Sequence, residues 1–430
     1  MTSFVFRSRR LSLSGLLLVT AGVGCDGEPG SSTVDAPNMD EVPGLELEEV
    51  LRIGSTHDPD EGFSRLGAVD VDEEGYVYAL ESSVPEIRVY DPEGELVRRI
   101  GRAGEGPGEF SENSFGLTFG LLGDTLWVHQ NGIQQWLTLF ERTGEVLSDS
   151  RVEDIRVPSS SPGRESAVSP RRMDDEGLFV GQSGMSYPGD DDAPAADSVN
   201  VPRIRFDADG QIVDTVGTHP SFRPRDLDPL DVGSSTFMVP RPRGSDPAVV
   251  LHADGYTRID QTLPDTSAAV RITRIRHPAD TLHSRLLRYD PKGFPAELLN
   301  ELAKGQAHQV GPLMVLNDGE IDRLERHAED TAAARRALIR RMEAEFPEHQ
   351  LPVQRTRTGA DGSLWLLREG VGDDEEARWT ILDAGLEPVG EVAVPVDVSV
   401  RWSSGDTIWA RVHDELDVPW LVRYRLRPPS

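Results

Sequence analysis

Residues 67–110 read GAVDVDEEGYVYALESSVPEIRVYDPEGELVRRIGRAGEGPGEF and contain one complete structural repeat. Aromatic and β-branched residues fill 76–80, and apolar residues alternate with polar ones over 87–90, so both segments are typical of strands. The sequence Asp-Pro-Glu-Gly then provides the backbone angles of a tight turn before the next strand, 95–100. Short strands joined by tight turns predict an antiparallel meander, in which each strand pairs with the one before it.

The same order of strands, turns and small residues recurs along the chain. We predict six such repeats, at about 67–110, 116–152, 172–216, 236–275, 353–394 and 398–426. Trp127, Trp365 and Trp409 fall at equivalent positions in three repeats, which favours a role in packing the sheets rather than in a ligand cage. Repeats of this length and strand order are typical of a propeller, whose sheets are arranged radially.

The sixth repeat ends one strand short, whereas residues 45–53 form a strand candidate without a hairpin partner. We predict that 45–53 supplies the missing outer strand and so closes the ring. Residues 294–304 and 318–346 have a helical period instead, with Pro295 near the start of the first helix and Pro347 at the end of the second, longer one. The predicted fold class is therefore all-β: a six-bladed β-propeller, residues 45–430, closed by an N-terminal strand, with a helical insertion at about 283–350 between blades 4 and 5.

The N-terminus has the features of an export signal. Arginines precede an apolar run at 11–23, and Cys25, the single cysteine of the chain, follows at once. This arrangement resembles the lipobox of bacterial lipoproteins, whose cysteine is acylated and becomes the new N-terminus. We predict a signal peptide at 1–24, lipidation of Cys25, and a flexible tether at 25–44, which is rich in glycine, proline and acidic residues. Ordinary cleavage nearby, with Cys25 an idle thiol, is the alternative.

The formal net charge of −30 limits the partners that the chain can bind. Nucleic-acid binding needs a basic surface, so we expect no nucleic-acid partner. Anionic lipid would also be repelled, so membrane contact is expected through the lipid anchor only. The expected location is the cell envelope, with the protein exported, lipid-anchored and facing the periplasm.

The first repeat resembles a known one. Its matching residues are Val69-Asp70, Gly75, Tyr76-Val77-Tyr78, 87–91, Gly94 and Gly101, which resemble the NHL repeat. Residues 101–110 resemble the Gly-Pro-Gly-x-Phe loop that joins NHL blades. The whole chain is similar to the six-bladed β-propeller lipoproteins of bacterial envelopes. This resemblance implies the propeller fold, and it brings no shared set of catalytic residues.

The nearest match to a metal motif is the acidic segment 70–75 with Glu81, which nearly fits an EF-hand calcium loop. An EF-hand needs flanking helices, whereas strands are predicted on both sides of this segment. The histidines are scattered, no second cysteine can help to hold zinc, and no Gly-x-Ser-x-Gly elbow occurs. The sequence therefore indicates Cys25 as a lipidation site and no catalytic, cofactor-binding or metal-binding residue.

We expect a non-enzymatic binding or scaffold protein, because loops from all blades of a propeller meet on one face. Its partner would be an unknown protein or small-molecule ligand at that face, and no cofactor is expected. The alternative is a calcium-dependent hydrolase or lactonase with a metal in the central channel. Ligands contributed by separate blades would leave no local motif, so motif searching does not exclude it. A purely structural envelope component is the third hypothesis.

Overall fold

A computed structural model describes residues 36–58, 61–111, 116–131, 135–151, 156–158, 165–173, 179–183, 198–207, 211–222, 227–232, 235–240, 248–252, 255–261, 268–276, 280–293, 351–369 and 376–429, together with Ala332, Ala333, Arg336, Ala337 and Arg340. Strands β1 to β27 dominate these residues, and a short 3-10 helix occupies Met39–Glu41. The fold is all-β, as predicted.

Three sheets follow one another in the first half of the chain. Sheet I contains β2 (Leu66–Val71), β3 (Val77–Glu81), β4 (Glu86–Tyr90) and β5 (Leu96–Ile100). Sheet II contains β6 (Gly116–Leu122), β7 (Thr125–Asn131), β8 (Trp136–Glu141) and β9 (Val146–Arg151). Sheet III contains β10 (Arg156–Pro158), β11 (Glu165–Met173), β12 (Phe179–Ser183), β13 (Ser198–Phe206) and β14 (Ile212–Phe222). Consecutive strands pair antiparallel in each sheet, so the predicted meanders are confirmed.

Three further sheets occupy the second half. Sheet IV contains β17 (Ala248–Leu251), β18 (Gly255–Gln261), β19 (Ala269–Arg276) and β20 (Asp280–Arg288). Sheet V contains β21 (Arg355–Thr358), β22 (Leu364–Glu369), β23 (Glu376–Leu382) and β24 (Pro388–Pro395). Sheet VI contains β25 (Val398–Ser404), β26 (Thr407–His413), β27 (Pro419–Arg427) and, as its outer strand, β1 (Gly44–Ile53). A separate hairpin of β15 (Leu227–Val232) and β16 (Ser235–Pro240) lies between sheets III and IV in the chain.

The N-terminal strand completes the last sheet. β1 pairs antiparallel with β27, from Glu46 opposite Arg427 to Ile53 opposite Leu421. The prediction that residues 45–53 supply the missing outer strand is therefore confirmed. Gly44 also pairs in parallel with β24, so that sheets V and VI form one continuous eight-stranded sheet. Pairing on both sides protects the backbone groups that a free edge strand would expose.

Sheets I to VI contact one another in a cyclic order. β2 lies against β6, β6 against β11, β14 against β17, and β17 against β21. β1 joins sheet V to sheet VI, and β25 and β27 lie against β2, which returns the order to sheet I. Buried apolar clusters fill these joints, as between Leu80 and Leu126 in sheets I and II and between Ile272 and Leu366 in sheets IV and V. Radial repetition of this kind is the propeller arrangement.

Residues 36–43 form a docked strap that runs into β1. Met39 has no exposed surface and belongs to the apolar core between sheets IV and V. The Arg288 side chain donates to the carbonyl of Ala36 at 2.9 Å, and Arg368 forms an ion pair with Asp40 at 3.1 Å. The strap therefore holds the beginning of the described chain against two sheets.

Two predicted boundaries are wrong. The prediction of a flexible tether at 25–44 is wrong for residues 36–44, because the strap is packed against the ring. The predicted signal peptide, Cys25 and residues 26–35 lie outside the described residues. The helical insertion predicted for about 283–350 begins too early, because β20 continues to Arg288. Almost all of 294–350 lies outside the described residues, so the insertion itself stays a prediction.

Candidate functional site

The first strand of each sheet lies towards the inside of the ring. The contacts of β2 with β6 and β25, and of β17 with β21, join first strands of neighbouring sheets, and β6 contacts β11, the second strand of sheet III. Side chains on these strands, although distant in sequence, can therefore act on one ligand, as at the centre of a propeller.

Arg357 on β21 reaches from sheet V to sheet VI. Its Nη1 donates a hydrogen bond to the carbonyl of Val400 on β25, whereas its Nε is buried without a partner in the described part of the chain. Burial, together with repulsion from nearby Arg401, lowers the pKa of the Arg357 guanidinium to about 10. The group is still charged at neutral pH, and no carboxylate among the described residues balances its charge.

Arg401 is the extra residue of a β-bulge in β25. Val400 pairs with Ala410 and Trp402 pairs with Trp409, so that Arg401 has no residue opposite it. Bulges of this kind change the direction of a side chain and are frequent near binding sites. Burial, and then repulsion from Arg411, lowers the pKa of the Arg401 guanidinium. Its Nε is buried and has no hydrogen-bond partner among the described residues.

Arg411 on β26 reaches from sheet VI to sheet I. It lies opposite Ser399, and its Nη1 is 3.4 Å from the carbonyl of Leu66 on β2. The register of β2 also shifts immediately after Leu66. As in Arg357, the Nη1 side of the guanidinium is directed to a carbonyl of the next inner strand, while the Nε is buried without a partner in the described chain.

We call Arg357 and Arg401, which lie on first strands, together with Arg411 on the second strand β26, the inner-strand arginine cluster. No carboxylate of the described residues forms an ion pair with any of the three, although other half-buried or buried arginines have one, such as Arg88 with Glu86 and Arg142 with Asp72. An unpaired buried donor costs about 1–3 kcal/mol, and a buried charge is normally paired. Three neighbouring unpaired cations in a chain of net charge −30 are thus an arrangement that stability alone does not favour.

Two uncharged donors on β25 adjoin the cluster. The indole Nε1 of Trp402 and the Oγ of Ser403 are buried and have no hydrogen-bond partner in the described chain. Three consecutive residues of this inner strand, Arg401 to Ser403, therefore each hold an unused donor. Because buried polar groups are normally satisfied, such a concentration indicates a place where a ligand or water would bind.

Arginine contacts with neighbouring carbonyls also join other sheets. Arg203 of sheet III donates to the carbonyls of His252 and Gly255 in sheet IV, and Arg274 of sheet IV donates to Gly362 of sheet V. A contact between sheets is thus one role for Arg357 and Arg411. This structural role does not explain why Arg401, a third cation, lies close enough to repel both of them.

The acidic segment that resembles an EF-hand loop is used by the backbone. Asp72 accepts hydrogen bonds from the N–H groups of Glu74 and Tyr76 at 3.0 and 2.9 Å. Glu81 accepts from the N–H groups of Ser64 and Arg65 at 2.7 and 3.1 Å. Since β3 follows this turn directly, the predicted strand context is confirmed, and these carboxylates stabilise turns.

The same turn recurs elsewhere. Three further aspartates accept from the N–H groups two and four residues later, namely Asp91, Asp383 and Asp414. Part of the large acid excess is thus committed to turns of the repeats. Within the described residues, no group of three or more histidine, cysteine, aspartate or glutamate side chains is placed to hold a metal ion.

The glycine-rich segment 101–110 forms the predicted loop between sheets I and II. Phe110 is completely buried, and its N–H donates to the carbonyl of Arg102 at 2.7 Å. Gly101 has a φ of +75°, and a Cβ at this position would lie 2.1 Å from the Phe110 ring. The loop therefore uses its glycine for a close approach of backbone and aromatic ring.

The three tryptophans expected to pack the sheets do so. Trp127, Trp365 and Trp409 occupy β7, β22 and β26, the second strand of sheets II, V and VI, and each is 1–3% exposed. Each belongs to a buried cluster that joins its sheet to a neighbour. Their predicted role as packing residues is confirmed.

The arginine cluster was not predicted from the sequence. The available signal was a cation at the middle of the first strand in two successive repeats, Arg357 in one and Arg401 in the next. Inner strands are half-buried, so an arginine there needs a partner. The sequence did not show that Arg411, from a different strand, lies beside them.

Comparisons with known proteins give structural similarity only. No protein-family model and no curated protein matches the chain. It is similar to a member of the duf4221 family from Bacteroides vulgatus, with 11% identity over 90% of this chain and 99% of that one and a TM-score of 0.45. It is also similar to virginiamycin B lyase from Staphylococcus aureus, with 13% identity, 89% and 100% coverage and a TM-score of 0.36. A third similar structure is that of the calcium-binding protein regucalcin from Agrobacterium tumefaciens, with 11% identity over 90% of this chain and 97% of that one and a TM-score of 0.33.

Because these TM-scores lie below 0.5, the fold assignment rests on the sheet order and the contacts between sheets. Among the described residues, no helix is long and apolar enough to cross a membrane.

Proposed function

We propose that this protein is a non-enzymatic binding propeller of the cell envelope, and that it binds an anionic ligand at the inner-strand arginine cluster. The observation that carries the proposal is the cluster itself: three neighbouring guanidinium groups without a carboxylate partner in the described chain. An anion would balance their charge and accept hydrogen bonds from their unused donors. Such charge-assisted bonds are about twice as strong as neutral ones.

The chemistry of arginine favours binding over catalysis. A guanidinium group donates hydrogen bonds in a fixed planar geometry and stays protonated at neutral pH, even with the pKa of about 10 at Arg357. It therefore holds and orients an anion without taking up or releasing a proton. This supports the expectation of a binding protein rather than an enzyme.

We also propose that the ring has six blades, formed by sheets I to VI. The cyclic contacts and the closing strand β1 support this count, and the β15–β16 hairpin would then be an extension between the third and fourth blades. The helical insertion would occupy the chain between sheets IV and V, after Arg288 and before Arg355.

The location follows from the N-terminal sequence. Residues 1–24 would be removed as a signal peptide, Cys25 would carry the lipid, and the protein would face the periplasm, in agreement with the resemblance to NHL-type lipoproteins. The strap begins at residue 36, so only residues 26–35 would remain as a spacer between the lipid and the ring.

Calorimetric titration of residues 26–430 with chloride, acetate, sulfate and inorganic phosphate tests the proposed function. We expect binding of at least one anion, and a loss of about tenfold in affinity in Arg401→Gln, because a hydrogen bond to a charged group is worth about 1.5–3 kcal/mol. Arg425→Gln is the matched control, since Arg425 lies in the same sheet, is about half exposed and pairs with Asp406. Binding of no anion, or equal binding by Arg401→Gln, would overturn the proposal.

A further inference from the structure

We infer that the ligand of the arginine cluster carries a compact dianionic oxyanion, of the phosphate or sulfate type, rather than a single carboxylate. This inference rests on the proposed function and specifies the chemistry of the same site. It follows from the free edges of the guanidinium groups, from their number and from their positions in the ring.

The free edges of Arg357 and Arg411 are equivalent. Each residue directs Nη1 to a backbone carbonyl of the next inner strand, Val400 and Leu66 respectively. That contact fixes the plane of the guanidinium and leaves the opposite edge, which contains Nε, without a partner in the described chain. This edge presents two parallel N–H groups, which match two oxygens of one phosphate or carboxylate group.

The charge of the cluster favours a ligand with more than one negative charge. Arg401 is repelled by Arg411, and Arg357 is repelled by Arg401, so the three charges form a connected set. A monoanion that binds one guanidinium leaves repulsion between the others. A dianion shared by the set relieves more of it, because the interaction energy grows with the product of the charges.

The positions of the three residues favour a single compact group. Arg357 contacts the carbonyl of Val400, the residue before Arg401 in β25. Val400 pairs with Ala410, the residue before Arg411 in β26. Arg357 therefore lies beside residues 400–401 of β25 and the neighbouring residues 410–411 of β26, which places the three arginines close together. A tetrahedral oxyanion has enough oxygen atoms for several guanidinium edges, whereas a carboxylate has two.

The two unused donors of β25 belong to consecutive side chains on opposite faces of the strand, so at most one of them can add to this preference. Trp402 Nε1 and Ser403 Oγ are uncharged, and both are buried without a partner in the described residues. Phosphate sites in proteins commonly combine cations with neutral donors. Backbone or hydroxyl groups then complete the coordination of the oxyanion.

The test is a comparison of anions at equal ionic strength, because screening alone changes weak electrostatic binding. The protein is residues 26–430, and the probes are acetate, sulfate, inorganic phosphate and glycerol 3-phosphate. We expect sulfate and phosphate to bind at least about tenfold more tightly than acetate, as the doubled charge requires. Tighter binding of glycerol 3-phosphate than of inorganic phosphate would indicate a phosphate ester, such as a lipid headgroup, and the reverse would indicate free phosphate.

The pH dependence provides an independent readout. The second ionisation of a phosphate ester lies near pH 6, so we expect its affinity to fall by about tenfold between about pH 7.5 and about pH 5. Sulfate stays a dianion over this range and should bind equally at both values. Arg401→Lys keeps the charge but loses the planar set of N–H donors of the guanidinium. We expect this variant to show a smaller preference for sulfate and phosphate over acetate.

The outcomes separate the two proposals. If acetate binds as tightly as sulfate and Arg401→Gln weakens both, the anion site stands and the dianion inference is wrong. If no probe binds, the proposed function itself is wrong. If all probes bind weakly and Arg401→Gln and Arg425→Gln behave alike, the anions are adventitious only and both proposals fall.

Discussion

The side chain of Arg401 is partly buried, has no carboxylate partner among the described residues and is repelled by two neighbours. Arg401→Gln should raise the melting temperature of the ligand-free protein, by about 1 °C, because it removes a repulsion between partly buried like charges that solvent screens in part. Differential scanning fluorimetry in a buffer with chloride only measures this.

Arg401→Lys provides the control for that variant, because it keeps the charge and should leave the melting temperature close to the wild-type value. A marked fall in the melting temperature of Arg401→Gln would mean that the guanidinium supports the fold. The cluster would then be a structural contact between sheets.

Asp361 illustrates the acid side of the charge balance. Although burial alone would raise the pKa of its carboxyl group, hydrogen bonds from Ser363 and from the N–H of Gly405 lower it below the usual value of 3.8. A lowered pKa in the folded state contributes stability above the unfolded pKa, and this contribution is lost as the pH falls through the folded pKa.

We therefore expect Asp361→Asn to destabilise the protein at neutral pH, with a difference from wild type that shrinks below about pH 4. Urea unfolding at several pH values measures the difference. Asp397→Asn, at an exposed position before β25, is the control. A difference that stays constant down to pH 3 would contradict the role of the ionised carboxylate.

The strap is the element that the sequence concealed most completely. Residues 36–43 are rich in acid and proline, and a single buried methionine produces no periodic pattern. Met39 nevertheless fills a place in the core between sheets IV and V. The composition thus correctly predicted the solvent-exposed residues of the strap and did not predict the burial of Met39 and Ala36.

Met39→Ala should lower the free energy of unfolding by about 2–5 kcal/mol, the usual effect of truncating a buried methionine. Denaturant titration of residues 26–430 measures it, and Glu41→Ala, at an exposed position in the same segment, should have little effect. An unchanged stability of Met39→Ala would mean that the strap is not docked in solution.

Strands with a regular apolar pattern were predictable, and those with mixed patterns were not. Residues 76–80 and 398–402 show strand chemistry in the sequence itself, and they fall in β3 and β25, with β3 shifted by one residue. β20 reads DTLHSRLLR, in which adjacent leucines follow polar residues, and this spacing fits a helix as well as an outer strand. Pairing with β19 decides between them, and that contact is not a local property of the sequence.

The arginine cluster was unpredictable for the same reason. The repeats predicted a strand that contains Arg401, but they did not predict that Arg357 and Arg411 lie beside it. The contact of Arg411 with Leu66 joins residues 345 positions apart in the chain. Such contacts depend on how the ring closes, which the strand pattern predicts only in outline.

The whole ring also bears on the calcium hypothesis. The carboxylates of the acidic turns, such as Asp72 and Glu81, already accept backbone hydrogen bonds. Among the described residues, no group of three or more histidine, cysteine, aspartate or glutamate side chains is placed to hold a metal ion, so we expect melting curves of residues 26–430 with excess calcium and with EDTA to coincide. A ligand at 100 times its dissociation constant would add about 2.7 kcal/mol of stability, so an upward shift of a few degrees with calcium would contradict this expectation and favour the metal-dependent hydrolase.

Closure of the ring brings the inner strands of sheets V, VI and I together, and the central claim is that the three arginines so assembled bind an oxyanion. The most direct measurement is an anomalous difference map from crystals of residues 26–430 grown with tungstate, a heavy tetrahedral dianion. The account predicts a peak within hydrogen-bonding distance of the guanidinium groups of Arg357, Arg401 and Arg411. A well-ordered ring with no anomalous peak at these groups would contradict it.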